Sequence, residues 1–207
     1  MSTRLRALGA VAAVALLASG CAAGTHPGAA AVVGKTEISV GDVDKTSRAV
    51  SAALGQNYPS QSALNELVGN AIAAQVRQEK SISVSDAEIA AAATKVAPSE
   101  QAYQKLIADP VARDFLNQLS ATVITTIKLG GGTGIDDPNL QSKQPQGAAA
   151  LKEAAKDIKV DISPRFGQWN DGALDASISG SLSDESPQTK SKREAAQNAQ
   201  NQGQGQG

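Results

Sequence analysis

The sequence predicts a mainly α-helical domain, and three stretches of the chain carry that prediction. Within residues 63–96, apolar side chains recur every three or four positions, the spacing of one helical face: Leu64, Leu67, Val68, Ala71, Ile72 and Val76. Ser85 and Glu88 have the spacing of a capping box, which marks a helix start. Asp109 precedes Pro110 as an N-cap precedes the first residue of a helix.

Caps and turn residues also place the helix ends. The predicted first and last markers are, in order, Ser39 and Gly55, Ser85 and Pro98, Ser99 and Ile107, and Asp109 and Gly130. The helix with the apolar face lies between Gly55 and Ser85. Its remaining face is predicted to be polar and to point away from the partner helices: Asn65, Glu66, Asn70, Arg77 and Glu79.

The start of the chain has the pattern of an export signal. Arg4 and Arg6 precede an apolar run of ~12 residues, which is shorter than the ~20 that a membrane-spanning helix needs. We therefore predict that residues 1–20 form a signal peptide that is cleaved between Gly20 and Cys21. Residues 21–30 have no apolar period and include Pro27, so they predict a flexible tether.

The residues around the cleavage point suggest a lipid anchor. Leu17-Ala18-Ser19-Gly20-Cys21 resembles the lipobox of bacterial lipoproteins. The resemblance implies that the Cys21 sulfur receives a diacylglyceryl group, which would hold the protein on the outer face of the cytoplasmic membrane. Two or three acyl chains give lasting attachment, at ~0.8 kcal/mol per buried methylene. The alternative is an ordinary signal cleaved nearby, with Cys21 unmodified.

The second half of the chain begins with a segment that breaks the helical pattern. Residues 130–147 are rich in glycine, proline and polar side chains, which predicts a flexible loop. Their glycine run follows a helix and lacks the Gly-Lys-Ser/Thr ending of a phosphate loop, so a hinge is favoured over a nucleotide site. Residues 148–156 predict a short helix, and Ile158, Val160 and Ile162 alternate with charged residues as in a half-buried strand. Residues 177–207 have too few apolar side chains to form a core and predict a disordered tail.

Several of these segments together resemble the N-terminal domain of the SurA and PrsA group of extracytoplasmic chaperones and foldases. They are the opening at 31–38, the Leu64-Asn65-Glu66-Leu67 and 82–89 segments, the long helix at 112–119, and Pro164-Arg165-Phe166-Gly167-Gln168-Trp169, which resembles the end of actinobacterial members. The resemblance implies that residues 31–176 form one helical domain whose first and last strands pair as a small two-stranded sheet. It also implies that the parvulin-type prolyl isomerase domain of the foldases, which would be inserted within 130–147, is missing.

The composition leaves few groups for catalysis or metal binding. Cys21 is the only cysteine and His26 the only histidine, which removes disulfides and imidazole-rich metal sites. Asp136 and Asp137 are adjacent carboxylates of the kind that a glycosidase or a metal site uses, but their place before Pro138 favours a solvated turn. We therefore expect no enzymatic activity, no cofactor and no metal. The formal net charge of −1 does not favour nucleic acid as a partner.

The sequence favours a chaperone-like protein that binds unfolded or exported polypeptides without prolyl isomerase activity. The resemblance implies a shallow apolar groove, and Phe166 and Trp169 are the candidates for peptide contact. The alternative for Trp169 is packing in the core. A rival hypothesis is a cell-envelope adaptor or scaffold that binds one specific folded partner, and a weaker one is an isomerase with unconventional residues.

Overall fold

The computed structural model describes residues 27–170 and 172–175. Its helices are α1 (Val40–Leu54), α2 (Ser60–Glu79), α3 (Asp86–Val96), α4 (Glu100–Ala108), α5 (Pro110–Leu129) and α6 (Leu140–Ala154). Its strands are β1 (Ala29–Val33), β2 (Thr36–Ser39), β3 (Val160–Ile162), β4 (Gln168–Asn170) and β5 (Ala173–Asp175). The mainly helical fold class is confirmed. The predicted signal peptide, Cys21, His26 and the predicted tail at 177–207 lie outside the described residues.

A small sheet joins the two ends of the domain. β1 lies in the centre of an antiparallel sheet with the order β2-β1-β3, and Val33 pairs with Val160 of β3. The pairing of the first strand with the returning strand is confirmed, but the sheet has three strands rather than two. The third strand arises because Gly34, with a φ of +56°, turns the chain so that β2 folds back onto β1. β4 and β5 form a separate antiparallel hairpin.

The predicted tether is wrong at its C-terminal end. Ala29 and Ala30 belong to β1 and are buried, at 3% and 0% exposure. Their small side chains fit beneath the helices, and the Ser163 N–H donates a hydrogen bond to the Ala30 carbonyl at 2.8 Å. Two residues that composition assigns to a spacer therefore belong to the core.

The helix starts follow the predicted caps. The Ser39 hydroxyl accepts from the Asp42 N–H at 3.0 Å, and the Ser85 hydroxyl accepts from the Glu88 N–H at 3.3 Å. In both cases the carboxylate in turn accepts a hydrogen bond from the backbone N–H of the capping serine. Asp109 accepts from the first amides of α5, and Gly55 ends α1 in the left-handed conformation.

The core forms where α2 packs between the sheet and the other helices. The predicted apolar face of α2 is confirmed, since Leu64, Val68, Ile72 and Val76 are all buried. Phe115 of α5 is 4% exposed, and its ring meets that of Tyr58 edge-on at a centroid distance of 6.0 Å. Within the described ranges, no helix combines the length and the apolar character needed to cross a bilayer.

The polar face predicted for α2 is wrong at Asn70, and Asn65, Glu66 and Arg77 on that face are half-buried. Asn70 is 5% exposed, because α5 packs against this side of α2 as well. The Thr122 hydroxyl of α5 donates to the Asn70 Oδ1 at 2.8 Å, whereas the Asn70 Nδ2 has no partner among the described residues. The side chain is therefore a buried polar contact between two helices.

The predicted loop at 130–147 is wrong over its second half, because α6 begins at Leu140. Gly130 and Gly147 let α5 and α6 approach closely. A Cβ atom on Gly147 would overlap the Thr126 carbonyl, and one on Gly130 would overlap the Lys143 carbonyl. Pro145 lies inside α6, where it removes one backbone hydrogen bond, and α6 packs along α5 over this part of the chain.

Candidate peptide-binding groove

An apolar groove of about 500 Å³ lies between α2, α6 and the last strands. Its walls include the side chains Ile72, Leu151, Ala155, Ile158, Val160 and Trp169. Pockets of ~300–1,000 Å³ with mostly apolar walls are typical of ligand sites. We refer to this depression as the groove.

One face of α6 forms a wall of the groove. Ala148, Leu151 and Lys152 of α6, with Ala155 directly after its last residue, follow the three- and four-residue spacing of a helical face, and all four line the groove. The small side chains of Ala148 and Ala155 leave a depression where larger residues would fill the space. The contact of Gly147 with the backbone of α5 holds this face in position.

Trp169 forms part of the opposite wall and also packs against the core. Its side chain is half-buried, and it contacts the cluster that includes Leu64, Val68 and Ile158. Trp169 pairs with Leu174 across the hairpin, and the Leu174 N–H donates to the Asn65 Oδ1 of α2 at 3.0 Å. Trp169 thus packs against the core and also lines the groove, so each of the two alternatives holds in part.

Phe166 lies apart from the groove walls. Its half-buried ring packs on the same core cluster, and the Arg165 guanidinium lies over it at 4.7 Å from the ring centroid. The structure therefore places one of the two predicted peptide-contact residues in the groove and gives the other a packing role.

The rim of the groove is positively charged. Lys152 and Lys156 line its solvent side, and both side chains are exposed. Lys156 pairs with Glu153 at 2.6 Å, whereas Lys152 has no ion pair among the residues that the structure describes. An occupant with apolar side chains followed by carboxylates would match both the walls and the rim.

The adjacent carboxylates at 136 and 137 lie elsewhere, in the turn between α5 and α6. Asp137 accepts hydrogen bonds from the backbone amides of Thr133 and Asn139, both at 2.8 Å, and these bonds lower its pKa, the Thr133 bond most. Asp136 forms an ion pair with Lys95. Both carboxylates thus hold the turn in place, and no group of three potential metal ligands occurs in residues 27–170 and 172–175.

Sequence reasoning placed residues 148–156 in a short helix but did not identify the residues of that helix that build the groove. The signal that could have found them is the spacing of Ala148, Leu151 and Ala155, but Pro145 and Gly147 obscure the start of that helix. It also missed a second depression, of about 370 Å³, lined by Asn70, Arg77, Gln118 and Thr122 among others. Asn70 was assigned to the wrong face of α2, so nothing in the pattern pointed there.

Comparison with known proteins leaves the fold and the groove as the basis for any functional argument. No family model, no curated protein and no solved structure matches the chain.

Proposed function

We propose that this protein is a chaperone-like lipoprotein that holds unfolded or exported polypeptides in the groove, without prolyl isomerase or other enzymatic activity. The observation that carries the proposal is an open apolar groove with an indole ring in its wall. The resemblance of residues 31–169 to SurA and PrsA N-terminal domains supports the same function. The proposal also places the protein on the outer face of the cytoplasmic membrane, attached through Cys21.

The groove suits weak and unspecific binding. Burial of one large apolar side chain contributes about 1.5–3 kcal/mol, and the ordering of an unfolded chain offsets part of that gain. A groove that receives only a few side chains therefore binds in the micromolar range or weaker. Such affinity allows a holding chaperone to release its clients.

The first test measures peptide binding through Trp169. This residue is the only tryptophan of the chain, so a change in tryptophan fluorescence reports on the groove wall. We expect an unstructured apolar peptide to shift and enhance the emission in a saturable way. An emission that stays unchanged at peptide concentrations up to the millimolar range would argue against the proposal.

A matched pair of variants locates the binding. Ala148 and Ala149 are neighbours on α6 and both are exposed, but only Ala148 lines the groove. Ala148→Glu places a longer charged side chain in the groove and should weaken peptide binding about tenfold, which corresponds to ~1.4 kcal/mol. Ala149→Glu adds the same charge outside the groove and should change the affinity less than about twofold. Equal effects of the two variants would show that the peptide binds elsewhere.

Two further measurements test the cellular role. The mature protein should suppress aggregation of an unfolded client, and Ala148→Glu should reduce that suppression. Recovery of one stoichiometric folded partner, with no suppression of aggregation, would instead favour the adaptor hypothesis. Mass spectrometry of the mature N-terminus tests the anchor, since an unmodified Cys21 or cleavage at another site refutes it.

A further inference from the structure

The chain leaves the described fold beside the groove. Gly172 lines the groove, and β5 ends at Asp175, three residues later. The Leu174 N–H is bonded to Asn65 of α2, which lies one helical turn before Gly69 of the groove wall, so β5 runs from the groove edge towards the start of α2. Residues after Asp175 therefore start within ~11 Å of Gly172 at the groove edge and reach the groove by turning back.

The following residues have a composition that matches the groove. Between residues 176 and 207, Ile178 and Leu182 are the only large aliphatic side chains, and aromatic residues are missing from that stretch of sequence. Asp184 and Glu185 follow Leu182 after one serine. An extended chain spans at most ~3.3–3.6 Å per residue, so Ile178 lies within ~11 Å of Asp175 and Leu182 within ~25 Å.

Charge complementarity sets the orientation. The apolar walls would receive Ile178 and Leu182, and the two carboxylates would then reach the rim. Lys152 has no ion pair among the described residues, and Lys156 has only an exposed one with Glu153. We propose that residues 176–186 occupy the groove of their own chain and compete there with polypeptide clients. The competition rests on the proposed function, whereas the docking does not.

Because residues 176–186 are covalently linked to the domain, weak contacts are sufficient for them to occupy the groove. A short linker holds the segment at an effective concentration in the millimolar range. A segment with millimolar intrinsic affinity would therefore occupy the groove about half of the time and lower the apparent client affinity about twofold. Clients with a better apolar sequence would displace it, so the segment would set a threshold for binding.

The docking is tested without any client, in the full mature chain. Ile178→Ser combined with Leu182→Ser should increase the quenching of Trp169 fluorescence by acrylamide about twofold, because the indole becomes more accessible. Ala195→Ser combined with Ala196→Ser, farther along the chain and outside residues 176–186, is the matched control and should leave the quenching unchanged. Equal quenching in the two double variants and the unaltered chain would overturn the proposal. So would quenching that depends on protein concentration, since the segment would then bind a second copy.

A charge exchange tests the orientation. Lys152→Glu should raise the quenching, and adding Asp184→Lys and Glu185→Lys should restore it. Failure of the restoration would overturn the assigned contacts. The outcome also separates the two proposals: quenching that responds to the variants while peptides bind neither form supports the docking and refutes the client-binding function.

Discussion

Glu88 links the start of α3 to α5 through one carboxylate. Its Oε2 accepts from the Ser85 N–H at 2.8 Å, and its Oε1 pairs with the Lys128 ammonium at 2.5 Å. The bond with Lys128, followed by that with the Ser85 backbone, lowers the pKa of Glu88 to about 2. Charge at this position should therefore stabilise the fold.

The sign and size of that contribution follow from the lowered pKa. An unfolded glutamate titrates at about 4.3, so the stabilisation is present above that pH and disappears as the pH falls towards 2. A difference of this size corresponds to at most ~3 kcal/mol. The side chains of Glu88 and Lys128 are 29% and 22% exposed, and solvent screening of such a pair reduces the figure to about 1–2 kcal/mol.

Glu88→Gln isolates the charge, because glutamine can still bond to the backbone of Ser85. Urea unfolding followed by circular dichroism should show a loss of about 1–2 kcal/mol at pH 7 that shrinks towards zero near pH 2. Asp42→Asn, in the other capping box, is the control; Asp42 has no ion pair among the described residues, so about 0.5 kcal/mol is expected. Parallel pH profiles for Glu88→Gln and the unaltered protein would refute the reasoning.

Three other predictions concern stability. Thr122→Val leaves the Asn70 Oδ1 without its donor and should lower the free energy of unfolding in urea by about 1–3 kcal/mol. Asn70→Leu also removes the unpaired Nδ2 and should lower it by less than ~1 kcal/mol. A larger loss for Asn70→Leu than for Thr122→Val would contradict this account of the buried contact. Gly147→Ala would overlap the backbone of α5 and should cost about 3 kcal/mol or more and change the Trp169 emission, so a stable variant with unchanged emission would contradict the packing. Burial, with a smaller contribution from Glu66, raises the pKa of Tyr58 to about 12. Stability should therefore fall as the pH rises from ~10 to ~12, and Tyr58→Phe should flatten that fall in an alkaline unfolding series.

The helix starts could be predicted because local chemistry decides them. The partners in the capping boxes of α1 and α3 lie three residues apart, and the Asp109 carboxylate bonds to amides two and three residues ahead. Such contacts form whenever the short segment is helical, whatever packs against it. The apolar face of α2 was predicted for a similar reason, since a period of 3.6 residues defines it.

The environment of Asn70 could not be predicted, because a distant residue decides it. Its hydrogen-bond partner, Thr122, is 52 residues away in sequence. The amphipathic pattern of α2 suggests one buried face, but the helix contacts the sheet on one side and α5 on another. A helix enclosed on two sides buries polar residues that a two-face description assigns to solvent.

The wall of the groove that α6 forms could not be predicted either, because contacts between distant residues decide where that helix begins. The sequence suggested Trp169 as a contact residue, but it placed a loop where α6 begins, because glycine and proline lower helix propensity. In the structure, the missing side chain of Gly147 is what permits α6 to lie against the Thr126 carbonyl. The packing gained there outweighs the lower propensity, and it turns Ala148, Leu151 and Ala155 towards Trp169. α6 covers the apolar side of the domain only in part, and the part left open is the groove on which both functional proposals depend.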